Sequence, residues 1–225
     1  MLRGEIMITV SELFDLERTL AKEYLLGFDY PWQALEGIGE MILSLGNRLN
    51  STNFRQIFHN VWVEKSSKIW ESAVISGPCI IGANTEIRPG AFIRGSALVG
   101  ENCVIGNSTE LKNVILFDGV QVPHYNYVGD SILGYKAHLG AGAITSNVRG
   151  DKGQVCVDGI PTGRKKVGAM VGDFAEVGCG AVLNPGVVIG RNSQVYPLSC
   201  VRGVVPEGCI FKNDGTVVEK WTIDN

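Results

Sequence analysis

Apolar residues recur at every sixth position through the middle of the chain. The first members of this repeat are Val63, Ile69, Ile75, Ile81, Ile87, Ile93, Val99, Ile105, Leu111 and Phe117. A period of six matches neither an α-helix, which repeats every 3.6 residues, nor an alternating strand, which repeats every two. It matches a triangular coil in which each flat side sends one aliphatic side chain into a common interior. The pattern therefore predicts an all-β fold, a left-handed parallel β-helix of hexapeptide repeats.

The repeat is interrupted twice. It breaks after Phe117 and resumes at Tyr127, and a polar stretch at 146–166 interrupts it again before it returns at Val171. In so regular a lattice, we interpret both interruptions as loops that project from the prism. Loops on a rigid scaffold often carry function, so both are candidate functional regions. The repeat and its last turn place the β-helix at residues 61–212.

The residues before the repeat have helical signals. Thr9 and Glu12 form a capping-box pattern, and Pro31 suits the first turn of a second helix that ends near Gly46 and Asn47. We therefore predict a small helical N-terminal segment over residues 1–60. Residues 213–225 are predicted to form a short C-terminal tail.

Composition and charge exclude several classes of protein. The formal net charge is −3, so nothing indicates binding to nucleic acid or to an anionic membrane. Residues 1–10 lack a signal-peptide pattern, and no apolar run reaches transmembrane length. The six cysteines are scattered without a C-x-x-C pair, which argues against a zinc ribbon. A cytoplasmic protein with reduced thiols is the expectation.

The first interruption contains the densest polar and aromatic cluster, residues 124–130, which begins at His124. Arg88 and Lys112 precede it and are 24 residues apart, which at about 18 residues per coil puts them on adjacent sides of neighbouring coils. Arg and Lys bind phosphate or carboxylate groups, and a neutral imidazole can take a proton from an amine or hydroxyl. The spacing therefore indicates anion binding beside a general base, although each cation could equally be a solvated surface charge.

Four stretches resemble the acetyltransferase domain of the bacterial bifunctional enzyme that makes UDP-N-acetylglucosamine. They are Ile87–Ala91, Gly106–Lys112, His124–Asp130 and Leu139–Asn147. Within that group, the chain looks like a stand-alone subfamily described as related to UDP-N-acetylglucosamine pyrophosphorylase. The resemblance covers roughly residues 63–205, and the last two stretches are its most specific part.

The resemblance implies an acyltransferase that uses acetyl-CoA, needs no metal, and works as a homotrimer with active sites between subunits. His124 would be the base that deprotonates a sugar amine. The remaining roles that it implies are sugar-phosphate binding by Arg88, Lys112 and Tyr127, acceptor binding by His138 and Asn147, and donor binding by Ala141 and Cys179.

The chain departs from that family at several of these positions. The family has Asn where His138 stands, Tyr-Asp-Gly where Val148-Arg149-Gly150 stand, and a CoA-associated Ser where Cys179 stands. These changes keep a second interpretation open, a sugar-nucleotide-binding or regulatory module without turnover. A zinc hydrase is a third, but it needs three converging His ligands, and the chain has only His59, His124 and His138.

Overall fold

The computed structural model describes residues 8–220. Residues 1–7 of the predicted N-terminal segment and residues 221–225 of the predicted tail lie outside the described residues. Most of the described chain winds into about eight coils of a left-handed parallel β-helix, so the predicted fold is confirmed.

Each coil has three sides, and equivalent strands of successive coils pair in parallel. The first side holds β2 (Val61–Glu64), β5 (Cys79–Ile81), β8 (Ala97–Val99), the end of β10 (Glu110–Leu116), the end of β12 (Tyr127–Leu133), β17 (Ala169–Val171), β20 (Val187–Ile189) and β23 (Val204–Val205). The second side holds β3 (Lys68–Ile69), β6 (Glu86–Ile87), β9 (Val104–Asn107), β11 (Gln121–His124), β13 (His138–Leu139), β18 (Glu176–Val177), β21 (Gln194–Val195) and β24 (Cys209–Phe211). The third side holds β4 (Val74–Ile75), β7 (Phe92–Ile93), the starts of β10 and β12, β14 (Ile144–Thr145), β19 (Val182–Leu183) and β22 (Cys200–Val201).

The inward residues of each side stack directly on one another. On the third side Ile93 pairs with Leu111, Leu111 with Val128, and Val128 with Thr145. Leu111 and Val128 are fully buried, as are their counterparts Ile87 and Ile105 on the second side. The sixfold apolar repeat is therefore the packed interior of the prism, where close packing of aliphatic chains stabilises the coils.

The first interruption is not a projecting loop, so that prediction is wrong. Residues 118–126 form a turn and strand β11, which lies within the second side. The break in period comes from two coils that are one residue shorter than the rest. Leu111 pairs with Val128, an offset of 17 residues, whereas Ile93 pairs with Leu111 at an offset of 18. The coil stays closed because the chain turns one corner with one residue fewer.

The second interruption does leave the prism, as predicted. It contains a short antiparallel hairpin, β15 (Cys156–Val157) with β16 (Ile160–Pro161), and an antiparallel bridge between Val148 and Lys166. Val155 and Val157 are buried, and a Cβ added to Gly186 would lie 2.7 Å from the Val155 side chain. The insertion therefore packs back onto the coils instead of extending into solvent.

The N-terminal segment covers the first side of the prism. Its helices are α1 (Val10–Leu13), a 3-10 turn (Leu16–Arg18), α2 (Lys22–Leu25), a second 3-10 turn (Pro31–Leu35) and α3 (Ile38–Gly46). The Thr9–Glu12 capping box and the end of α3 at Gly46 are as predicted, but the helix expected to start at Pro31 is divided into the second 3-10 turn and α3. A strand also falls in this segment, β1 (Phe54–Phe58), which pairs antiparallel with β2.

The covering of the first side explains why its outward residues are apolar. Ile80, Leu98, Ile115 and Ile132 point out of the prism and are still almost completely buried. Trp62 is buried beneath Gly46 of α3. Trp70 on the second side and Phe92 on the third side are exposed aromatic residues.

At the C-terminal end, β25 (Val217–Glu219) pairs antiparallel with β24, so the described part of the tail forms a hairpin with the last coil. None of the helices in residues 8–220 has the length and apolar character needed to cross a membrane. A cytoplasmic location stays a prediction.

Candidate functional site

His124 lies at the corner between the second and third sides, which we call the histidine corner. It ends β11, pairs with Asn107 of the coil below, and its side chain is exposed. Its backbone is held by the buried Asn126, whose Oδ1 accepts from the His124 N–H at 3.0 Å. The Asn126 amide also donates to the carbonyls of Gly140 and Ala143 at 2.8 and 3.1 Å. An accessible imidazole is therefore fixed to a rigid corner by a residue that the sequence did not single out.

Ala141 and Cys179 occupy the two steps above His124 in the same corner. The N–H of Gly142 donates to the His124 carbonyl at 2.9 Å, and that of Gly180 donates to the Ala141 carbonyl at 2.8 Å. Leu198 then donates to the Cys179 carbonyl at 2.8 Å. These bonds align the predicted base and both predicted donor-binding residues along the axis of the prism, one per coil.

Lys112 lies at the other end of the third side, at the corner where the chain enters the first side. We call it the lysine corner. Its ammonium donates to both carboxylate oxygens of Asp130, at 3.0 and 3.1 Å, and the Asp130 side chain is only 3% exposed. The Nδ2 atoms of Asn113 and Asn147 also donate to Asp130, at 2.9 and 2.5 Å. Asp130 thus joins two coils and the start of the insertion in one polar cluster.

Tyr127 extends this cluster along the third side. Its hydroxyl accepts from Asn147 Nδ2 at 3.2 Å, so the structure brings Lys112, Tyr127 and Asn147 together. Burial raises the pKa of Tyr127, and the negative charges of Asp130 and Glu110 raise it further. The phenol therefore keeps its proton at neutral pH and is available as a hydrogen-bond donor.

Arg88 follows β6 on the second side, one coil below Lys112, so its predicted position on an adjacent side is confirmed. Its Nε and Nη2 donate to Glu86 Oε2, both at 3.1 Å, which holds the pKa of Glu86 below its usual range. No hydrogen bond or ion pair within residues 8–220 joins His124 to Arg88 or Lys112. The predicted cations thus flank the third side instead of contacting the base.

His138 lies apart from the lysine corner. It is in β13 on the second side, and its Nδ1 lies 2.7 Å from Glu176 Oε2 in the strand above. The two acceptor-binding residues that the resemblance implies are therefore separated within one chain, with His138 on the second side and Asn147 beside the third. Among residues 8–220 there is no group of three His, Cys, Asp or Glu side chains arranged to hold a metal ion.

Arg94 and Glu110 are neighbours of the site that the sequence analysis missed. Arg94 stands directly below Lys112, and its Nη1 donates to Glu110 at 2.7 Å beside Tyr127. A usable signal was present, because Arg94 follows the inward Ile93 as Lys112 follows Leu111, 18 residues later. Asp130 could not be found from the 18-residue spacing in this way, because its burial depends on the short coil.

The chain is similar to known proteins over most of its length. It is 30% identical over 230 residues to a bifunctional sugar-1-phosphate nucleotidylyltransferase/acetyltransferase of Sulfurisphaera tokodaii, a match that spans 93% of this chain and 55% of that protein. It is 32% identical over 229 residues to the bifunctional protein GlmU of Methanococcus maripaludis, spanning 97% of this chain and 56% of that protein. The chain thus spans about half the length of these curated relatives. The model of the GMPPB C-terminal domain matches residues 75–159.

Solved structures with a similar coil include a hexapeptide transferase family protein from Anaplasma phagocytophilum, which is 19% identical in sequence. The match covers 72% of this chain and 81% of that chain, with a TM-score of 0.49. A point mutant of perosamine N-acetyltransferase from Caulobacter crescentus, in complex with CoA and GDP-perosamine, has 17% identity, 82% and 67% coverage, and a TM-score of 0.39. These scores are too low to bear on the chemistry of the site. From its coils and its sequence relatives, the chain is a hexapeptide-repeat left-handed β-helix protein related to the GlmU-type bifunctional proteins.

Proposed function

We propose that the protein transfers an acyl group from acyl-CoA to the amine of an amino sugar phosphate or a nucleotide sugar. Acetyl is the acyl group that we propose first. The observation that carries the proposal is the histidine corner, where an exposed imidazole stands on a backbone fixed by Asn126. Two of the relatives have acetyltransferase or GlmU in their names, and that similarity supports the same reaction class here.

In the proposed reaction, His124 takes a proton from the attacking amine as the nitrogen bonds to the thioester carbonyl carbon. The carbon–sulfur bond then breaks, and the CoA thiolate leaves and takes a proton. General-base catalysis of this kind contributes about 10²- to 10⁴-fold to the rate. The donor would lie along the corner above His124, where Ala141 and Cys179 are flanked by glycines and leave the backbone accessible.

The acceptor would lie on the third side, against Tyr127 and Asn147. In this proposal Lys112 and Arg88 bind its phosphate, although each already has a carboxylate partner. His138 lies on the second side, apart from Tyr127 and Asn147, so in this proposal it binds an acceptor held by a neighbouring subunit. A homotrimer would supply that boundary, and the exposed Trp70 and Phe92, 41% and 40% accessible, are suited to such a contact.

The test is a free-thiol release assay with acetyl-CoA against a panel of amino sugar phosphates and nucleotide sugars. We expect His124→Ala to reduce kcat by about two to four orders of magnitude. His59→Ala is the matched control, because His59 lies in the turn between β1 and β2, and it should keep full turnover. Full turnover by His124→Ala would refute the role of the base. A light-scattering mass of one chain at micromolar concentration would refute the trimer.

One observation favours the alternative of a non-catalytic sugar-nucleotide-binding module. The chain departs from the family that it resembles at His138, Val148 and Cys179, which the resemblance places in the acceptor pocket and beside the donor. The two hypotheses differ in a simple way. Tight binding of a nucleotide sugar without thiol release for any acceptor in the panel would select the binding module.

A further inference from the structure

A polar cavity lies where the insertion meets the upper part of the third side. It has a volume of about 520 Å³. One wall is the start of the insertion, with Val148, Arg149 and Asp151, and the other follows the ends of β19 and β22, with Asn184 and Arg202. Its size is within the range of small-molecule sites. None of these residues has a part in the proposed acyl transfer.

The cavity has an excess of positive charge. Arg149 uses Nε and Nη2 to bind both oxygens of Asp151, at 3.0 and 2.6 Å, so its Nη1 is left for a ligand. Within residues 8–220 the Arg202 guanidinium makes no hydrogen bond or ion pair. Two arginines against one aspartate leave a net positive charge, which favours an anion.

The insertion as a whole is basic in an otherwise acidic chain. Between residues 147 and 167 it has five Lys or Arg residues and two Asp residues, whereas the whole chain has a net charge of −3. At position 149 the family that the sequence resembles has an aspartate, so the arginine reverses the charge of this wall.

The walls of the cavity are fixed before any ligand binds. Asn184 Nδ2 donates to the Val201 carbonyl at 2.8 Å and to Cys200 Sγ at 3.2 Å, which ties β19 to β22. Asp151 also accepts from the Gly153 N–H at 3.0 Å, so the carboxylate that orients Arg149 is itself oriented. Arg149 is therefore oriented before an anion binds, and a preorganised donor loses little conformational freedom on binding.

We propose that this cavity binds a phosphate or pyrophosphate group through Arg149 and Arg202. The group can belong to the nucleotide part of a CoA donor, to a nucleotide sugar, or to the free inorganic anion. Planar guanidinium groups suit all three, because they donate two parallel hydrogen bonds to phosphate oxygens.

The test is calorimetric titration of the full chain with inorganic pyrophosphate. We expect Arg149→Gln and Arg202→Gln each to weaken binding about tenfold, the usual effect of losing a hydrogen bond to a charged group. Arg55→Gln is the matched control, because it removes the same charge from the exposed face of β1 and should bind as the wild type does. Equal binding by the double variant and the wild type would overturn the proposal, and so would an equal loss in Arg55→Gln.

Competition with pyrophosphate then distinguishes the sources of the phosphate. Displacement by coenzyme A would assign the cavity to the donor, displacement by a UDP-sugar would assign it to a nucleotide sugar, and displacement by neither would leave the inorganic anion. Because this readout is binding, it is independent of turnover. A chain that binds pyrophosphate here but releases no thiol would refute the acyl transfer and retain the cavity.

Discussion

Replacing Asp130 with Asn tests whether the lysine corner is held together by a single buried charge. The Asp130 carboxylate is 3% exposed and accepts from one ammonium and two amide groups, whereas the Lys112 side chain is 28% exposed. Breaking a fully buried ion pair by removing one partner destabilises a protein by about 3–5 kcal/mol. Water reaches Lys112 and screens part of this effect, so we expect Asp130→Asn to lower the free energy of unfolding by about 2 kcal/mol.

A double-mutant cycle gives the sharper measurement. Lys112→Met keeps the length of the side chain and removes its charge, and the four proteins of the cycle are unfolded in urea at one protein concentration. We expect a coupling free energy of about 1–3 kcal/mol between Asp130 and Lys112. The Arg94–Glu110 pair is the matched control, since both side chains are more exposed, at 46% and 33%, and its coupling should be at most about 1 kcal/mol. Additive effects at Asp130 and Lys112 would refute the reasoning.

Three further perturbations test the corners. A Cβ at Gly106 would lie 1.5 Å from the Pro123 carbonyl oxygen, so Gly106→Ala should destabilise the fold by more than about 3 kcal/mol in thermal unfolding. Gly150→Ala is the control, because a Cβ there has nothing within 4 Å, and it should not destabilise the fold to this extent. Asn126→Ala removes two donors to buried carbonyls and should reduce the free energy of unfolding by about 2 kcal/mol; a loss below about 0.5 kcal/mol would contradict the structural role of Asn126. Burial raises the pKa of Tyr127 in the folded protein. The stability contributed by the protonated phenol is therefore complete below the unfolded pKa of about 10 and is lost as the pH rises through the folded pKa. Burial also raises the pKa of Tyr24, so spectrophotometric titration at alkaline pH should show late tyrosine ionisations, and Tyr127→Phe should remove one of them.

The β-helix could be predicted because its interior repeats along the chain. The inward residues from Val63 to Leu111 were assigned correctly from spacing alone, because every corner between them uses the same number of residues. The assignment failed at Phe117, where the structure turns Leu116 inward instead, opposite Val99. Phe117 is still fully buried, and its ring packs against Phe14 at 5.1 Å.

The physical reason for this failure is the helical cover on the first side. Residues 114–117 are four consecutive apolar residues, Val-Ile-Leu-Phe, and all four are completely buried. Where one face of a strand is exposed, the alternation of apolar and polar residues fixes the register. Here both faces are buried, so the apolar pattern does not show that this coil is one residue shorter. The resulting change of register was therefore interpreted as a loop.

The site residues show the same division between what spacing can and cannot predict. The column of His124, Ala141 and Cys179 came from the resemblance, because a short coil and the insertion give offsets of 17 and 38 residues that a regular coil spacing does not predict. The pairing of Lys112 with a carboxylate depends on side chains that approach one another only after the coils stack. Arg88 with Glu86 is a local contact, but Lys112 with Asp130 joins residues 18 positions apart across a corner.

The short coils themselves form the lysine corner. In the regular coil below, the chain turns from the third to the first side through two residues with left-handed φ, Gly95 at 94° and Ser96 at 50°. The next two coils make the same turn with one such residue each, Asn113 at 55° and Asp130 at 48°, inside the continuous strands β10 and β12. Asparagine and aspartate tolerate this conformation better than most residues with a side chain. Because the turn uses one residue in each coil, Asn113 lies directly below Asp130, and the carboxylate meets Lys112 and Asn147 at the same point. A one-residue deletion in two consecutive coils thus replaces a glycine corner with a polar cluster, and no projecting loop is needed to create it.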